Sequence, residues 1–144
     1  MLTSPYKHPY ADADACAQRL FNNYKEHGKL IIAFDFDNTI FDYHNTGGDF
    51  SEVIALLQEC NMYNFTMVLF TSNEGERLEF CKKFCAKRNI RIDYVNESPV
   101  MPTRKPFYSL LLDDRAGLGC AMRTLDKLMH LIYDYIKSST SKLG

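Results

Sequence analysis

What most limits the folds open to this sequence is a set of short, nearly continuous apolar runs, each ending in a polar residue suited to chemistry. Residues 29–34 (K-L-I-I-A-F) lead into Asp35, Phe65–Phe70 leads into Thr71, and residues 108–112 lead into Asp113 and Asp114. A strand with one wet face alternates apolar and polar residues. A run without alternation reads as a strand buried on both faces, as in a parallel sheet. A further run at residues 90–95 reads as a strand between the second and the last of these.

Between the runs the spacing becomes helical. Residues 11–27 place Cys16, Leu20 and Tyr24 on one side with Gly28 as a stop, and residues 50–60 align Val53, Ile54, Leu57 and Cys60. A capping box of Asn73 and Glu76 is expected to open a helix that runs to about Arg88 and turns Leu78, Cys81 and Cys85 inward. Residues 120–137 form a last amphipathic helix, followed by a Ser/Thr-rich end at 138–141. Gly47 and Gly48 mark a turn, and Pro99, Pro102 and Pro106 mark a loop. Strand alternating with helix predicts the α/β class: a three-layer sandwich whose parallel, Rossmann-like sheet carries helices on both faces through right-handed crossovers.

A chain of 144 residues, 46% hydrophobic and 24% charged, suits one compact domain, with a tail and helix over residues 1–28 and all strands within 29–144. Its formal net charge of −1 supplies no field that calls for nucleic acid or a membrane surface. No run approaches the roughly 20 apolar residues of a membrane span, and the first residues lack the apolar core of a signal peptide, so a cytoplasmic protein without a membrane partner is expected. Five cysteines without a C-x-x-C pair read as reduced structural thiols, and four scattered histidines offer no metal-binding spacing.

In open α/β sheets ligands bind at the carboxyl ends of the strands. Here those ends bring together Asp35 and Asp37, then Thr71, Ser72 and Asn73, then Lys105 ahead of the last strand, and Asp113 and Asp114 after it. Four carboxylates on one rim repel one another unless a divalent cation lies among them, and an all-oxygen site with open positions suits Mg²⁺ rather than zinc. A carboxylate can attack a phosphoryl group while a second acid protonates the leaving group, and Asp35 and Asp37 can supply both roles. The Thr71 hydroxyl and the Lys105 ammonium are candidate donors to phosphoryl oxygens, with Arg104 an equally basic neighbour. The amides of Ser72 and Asn73, at an expected helix N-terminus, would add an anion pocket.

Four segments in this order, D-F-D-N-T at 35–39, L-F-T-S at 69–72, Lys105, and L-L-L-D-D-R at 110–115, resemble the four motifs of haloacid dehalogenase superfamily phosphatases. The resemblance spans residues 29–115. It implies a catalytic domain over 29–144, Asp35 as nucleophile, Asp37 as acid/base, and Thr71 and Lys105 as phosphate holders. Ser72, Asn73 and Arg115 would line the substrate. Mg²⁺ would be held by the Asp35 carboxylate, the Asp37 backbone carbonyl and one or both of Asp113 and Asp114. The D-x-D spacing favours phosphate esters over dehalogenation.

Neither usual cap position holds room for an inserted cap, so the chain is similar to capless members, among them the phosphatase half of polynucleotide kinase-phosphatase. Where some of those carry S-x-R, this chain has Asn73. A capless site implies a phosphorylated substrate of some size, such as a nucleic-acid end or a phosphoprotein. A small-metabolite or nucleotide phosphatase and a catalytically silent phospho-ligand-binding module are the rival readings. A phospho-receiver domain has the wrong motif order.

Overall fold

The computed structural model describes residues 10–100, Arg104 and residues 106–143, the side chains of 141–143 excepted. The tail at 1–9 and Lys105 lie outside the described residues. Four parallel strands, β1 (Leu30–Asp35), β2 (Phe65–Phe70), β3 (Tyr94–Val95) and β4 (Leu110–Leu112), form one sheet in the order β3-β2-β1-β4. The register sets Asp35 opposite Phe70 and Phe34 opposite Leu112, so Asp35, Thr71 and Asp113 emerge at the same end of the sheet. From β1 the chain builds outward through β2 and β3, then returns to place β4 on the other side of β1. The gap between β1 and β4 is the switch point where such sheets open a crevice.

Helices α1 (Ala13–His27), α2 (Ser51–Glu59) and α3 (Gly75–Lys87) precede β1, β2 and β3 in turn, α4 (Leu118–Leu143) follows β4, and a 3-10 turn at Cys60–Met62 extends α2. The parallel α/β, Rossmann-like class implied by the apolar runs is the observed one. On one face Leu30, Ile32, Phe34, Met67, Leu69 and Leu112 share a buried cluster with residues of all four helices, Leu20, Leu57, Cys81 and Leu128 among them. On the other face Ile31, Ala33 and Val68 are covered by Phe70, Tyr108 and Leu111. Tyr108 belongs to the connection between β3 and β4, which forms no helix among its described residues, Pro99 and Pro106 included, while Pro102 lies outside them. α1 ends at Gly28, left-handed at φ 78°, whose amide caps the Tyr24 carbonyl. The helix then leans on α4 through Phe21 against Tyr135 and an ion pair of Asp14 with Lys127 at 2.7 Å.

Beyond shifts of one or two residues at helix and strand ends, the structure departs from the sequence reading in four places. The strand expected over 90–95 is ladder only at Tyr94–Val95. Before it the Asp93 carboxylate accepts from the Met67 amide at 2.8 Å, and Arg91 pairs with Asp93 and donates to the Phe65 carbonyl. The strand expected over 108–112 begins at Leu110, because the Ser109 hydroxyl takes the Ile31 amide at 3.0 Å. The Asn73–Glu76 capping box is absent: α3 starts at Gly75 after Glu74, which makes no side-chain cap. The last helix continues through the Ser/Thr-rich end, where the Thr140 hydroxyl bonds the Ile136 carbonyl one turn back at 2.9 Å. Among the described residues no helix is long and apolar enough to cross a membrane.

Candidate active site

The chain turns sharply after β1. Phe36 and Ile40 are buried and fix the loop to the core, while Asn38 adopts φ 61°, a left-handed conformation that asparagine tolerates better than most residues. The Asn38 amide bonds the Phe41 carbonyl at 2.7 Å and the Ile40 amide bonds the Phe36 carbonyl at 3.1 Å, which closes the loop. The two aspartates of D-x-D then face different neighbours: Asp35 turns toward β4, and Asp37 toward the start of α3.

On the β4 side, Asp35, Asp113 and Asp114 each bring one carboxylate oxygen to within 4.8 Å of the others. Buried Thr39 joins them. Its hydroxyl lies 3.2 Å from Asp35 Oδ2 and 3.4 Å from Asp114 Oδ1, and accepts the Asp114 amide at 3.0 Å. A single hydroxyl proton serves only one of the two carboxylates at a time. The trio is therefore short of positive charge. Burial, a hydrogen bond with the Asp114 carboxyl and the charge of Asp113 push Asp35 up to about 7, and the Phe36 amide and Thr39 hydroxyl offset this only in part.

This shift fixes a sign for stability. Between about pH 4 and 7 the metal-free folded chain keeps on Asp35 a proton that the unfolded chain releases, so this group's contribution falls as pH rises through that window. Below it, a neutral Asp35 and an asparagine are nearly equivalent. In chelator-treated buffer, the Tm of wild type is expected to match that of Asp35→Asn near pH 4 and to drop below it by pH 8. Scanning fluorimetry across this range checks the expectation, and parallel curves for the two proteins would contradict it.

On the α3 side, the Asp37 carboxylate accepts from Asn73 Nδ2 at 3.0 Å and pairs with Arg77 at 3.4 Å. The same Asn73 amide group donates to Thr71 Oγ1 at 2.8 Å, and the Asn73 backbone amide donates to that hydroxyl at 3.1 Å. With both acceptor positions taken, the Thr71 hydroxyl retains its proton to give. Asn96 secures Thr71 from below, accepting its amide and donating to its carbonyl, each at 2.8 Å.

The expected site residues thus fall into two connected groups, Asp35 with Asp113 and Asp114, and Asp37 with Thr71 and Asn73. The Asn73 amide is committed to Thr71 and precedes α3 by two residues, so it is not the free helix-terminal donor that the sequence reading assigned. Ser72 is exposed beside it. Arg115 is exposed as well, and its amide closes a turn on Asp113 Oδ1 at 2.9 Å. Thr39, Asn96 and Arg77 were not singled out from sequence. Thr39 stands inside the first motif, and Arg77 follows Asn73 by four residues. Asn96 carries no signal beyond its left-handed φ of 54°, visible only once the fold is known.

No family model and no curated protein matches this chain. Among solved structures it is similar to a conserved protein coded by a locus of Bacteroides thetaiotaomicron, with a TM-score of 0.52 and 25% sequence identity over 62% of this chain and 78% of that one. That likeness accords with an α/β fold built on a parallel, Rossmann-like sheet.

Proposed function

We propose that this chain is a Mg²⁺-dependent phosphatase that hydrolyses phosphate monoesters through an aspartyl-phosphate on Asp35. The observation that carries the reading is the meeting of Asp35 with Asp113 and Asp114 at the switch point of the sheet, while Asp37 is held apart on Asn73 and Arg77. One carboxylate is thereby grouped with an all-oxygen cation site and the other is left for proton transfer.

The residues present fit Mg²⁺: the donors are hard oxygens, and Asp35 is pushed upward by burial and by its acidic neighbours Asp114 and Asp113, whose crowding a cation would relieve. Asp35, Asp113, Asp114 and the Asp37 carbonyl are the proposed ligands. Mg²⁺ bound there would supply the positive charge that keeps Asp35 ionised and polarises the phosphoryl oxygens. In the first displacement an Asp35 oxygen bonds to phosphorus as the ester P–O bond breaks, and Asp37 gives its proton to the departing oxygen. In the second, water passes a proton to Asp37 and attacks the same phosphorus, releasing phosphate and regenerating both carboxyl groups. The Thr71 hydroxyl and Lys105 hold the phosphoryl oxygens, and Ser72 and Arg115 line the approach.

An uncapped rim offers a small metabolite few contacts, so the substrate is proposed to be a phosphorylated polymer, such as a nucleic-acid end or a phosphoprotein. Its remote parts would supply binding energy that orients the phosphoryl group. The purified chain is expected to release phosphate from an aryl phosphate with Mg²⁺ and to stop in excess chelator. Its kcat/KM should be at least about 10-fold higher for a phosphorylated oligonucleotide or peptide than for the matching monomer. Chelator-resistant turnover would end the metal-dependent reading, and equal monomer rates across both series would end the polymer reading.

A further inference from the structure

Arg77 lies on the first turn of α3, and its guanidinium reaches back to Asp37 Oδ1 at 3.4 Å while Asn73 Nδ2 holds Oδ2 at 3.0 Å. Each oxygen of the carboxyl group therefore has its own partner, so its plane is fixed from two sides. An arginine that is 37% exposed would ordinarily exchange among many rotamers and hold a partner poorly. Here it has an aromatic seat. The guanidinium carbon lies 4.6 Å from the ring centroid of Phe80, 5.0 Å from Phe41 and 5.9 Å from Phe36.

Those rings come from both elements that the arginine connects. Phe36 and Phe41 belong to the loop that carries Asp37, and they stack on each other at 5.3 Å with planes 16° apart. Phe80 comes from α3 and meets both of them edge-on. Phe36 is fully buried, which ties the seat to the core. The Phe36 ring belongs to this seat, while its backbone amide serves Asp35 on the other side of the loop.

We propose that Arg77 is a positioning residue that aims the Asp37 carboxyl group at the leaving-group oxygen, with the aromatic seat holding Arg77 in turn. The inference rests on the proposed acid/base role of Asp37. It assigns Arg77 to the proton-transfer part of the first displacement, as the ester bond breaks and the departing oxygen takes the Asp37 proton. Metal binding and phosphate binding do not depend on it.

Leaving-group dependence provides the test, because a nitrophenolate departs without help whereas an alkoxide needs its proton. Steady-state kinetics on p-nitrophenyl phosphate and on glycerol phosphate would be compared for wild type, Arg77→Met, Arg77→Lys and Phe80→Leu. Arg77→Met is expected to lose about 10- to 100-fold in kcat/KM, which reports the first displacement alone, on the alkyl ester and no more than about twofold on the aryl ester, with the Mg²⁺ affinity seen by calorimetry unchanged. Arg77→Lys, which keeps the charge and loses the planar seat, should fall between wild type and Arg77→Met. Phe80→Leu, at a 40% exposed position, loosens the seat without touching Asp37 and should give a weaker form of the same pattern even if Arg77→Met folds poorly.

Equal losses on the two esters, or no loss on either, in a series whose wild type is active would overturn the role of Arg77 alone. A wild type that hydrolyses neither ester with Mg²⁺ would remove the phosphatase reading and this inference with it.

Discussion

Asp35→Asn is expected to reduce Mg²⁺-dependent phosphate release by at least about 10⁴-fold while leaving the metal-free fold intact. Asparagine matches aspartate in shape and can still accept the Thr39 hydroxyl that lies 3.2 Å from Asp35 Oδ2. It lacks the charged oxygen that the proposed mechanism bonds to phosphorus. It also removes one carboxyl group from a crowded trio, so at neutral pH the variant should be at least as stable as wild type without metal. Loss of activity without loss of Tm separates a missing nucleophile from a damaged fold. Phosphate release and thermal unfolding measured on one preparation decide it, and residual turnover within tenfold of wild type would remove Asp35 from the chemistry.

Asp37→Asn should lower kcat by about 10²- to 10⁴-fold, the usual range for a general acid, with Mg²⁺ binding nearly unchanged. The separation follows from the geometry. The Asp37 carboxylate faces Asn73 and Arg77 rather than the oxygens of Asp35, Asp113 and Asp114. The metal ligand proposed for Asp37 is its backbone carbonyl, which the substitution keeps. Calorimetric titration of the variant with Mg²⁺ checks the claim, and an affinity loss as large as the loss in kcat would contradict it.

The sheet was legible in the sequence because its central strands are buried on both faces. Phe65–Phe70 reads without alternation and forms β2 with those same bounds, and residues 29–34 differ from β1 by one position at each end. Legibility failed where a polar side chain replaced a backbone group. Asp93 and Ser109 take amides that a strand residue's carbonyl would have taken, and apolar run length carries no information about such exchanges. The Asn73 capping box failed because its amide group is drawn to Asp37, 36 positions earlier in the chain, a competitor that no local pattern registers. The carboxylates of the site were readable as polar stops at strand ends. Their supports were not: Thr39 reaches Asp114 across 75 positions, and Arg77 joins Asp37 across 40. Helical periodicity identified the inward face of α3, whereas Arg77 faces the site.

The same exchanges of backbone for side chain leave the sheet with blunt borders. β3 is two residues long and β4 three, and each is preceded by a polar residue whose side chain, not its carbonyl, accepts the amide of the neighbouring strand. An incoming strand from another molecule would find too few extended residues at either border to build a lasting ladder. Beside β3 it would also meet the paired charges of Arg91 and Asp93. Short, charged borders are among the devices by which β-sheets avoid edge-to-edge aggregation. A sheet whose inner strands are as apolar as β1 and β2 has particular need of them, because those runs have the composition of self-associating segments whenever they are exposed.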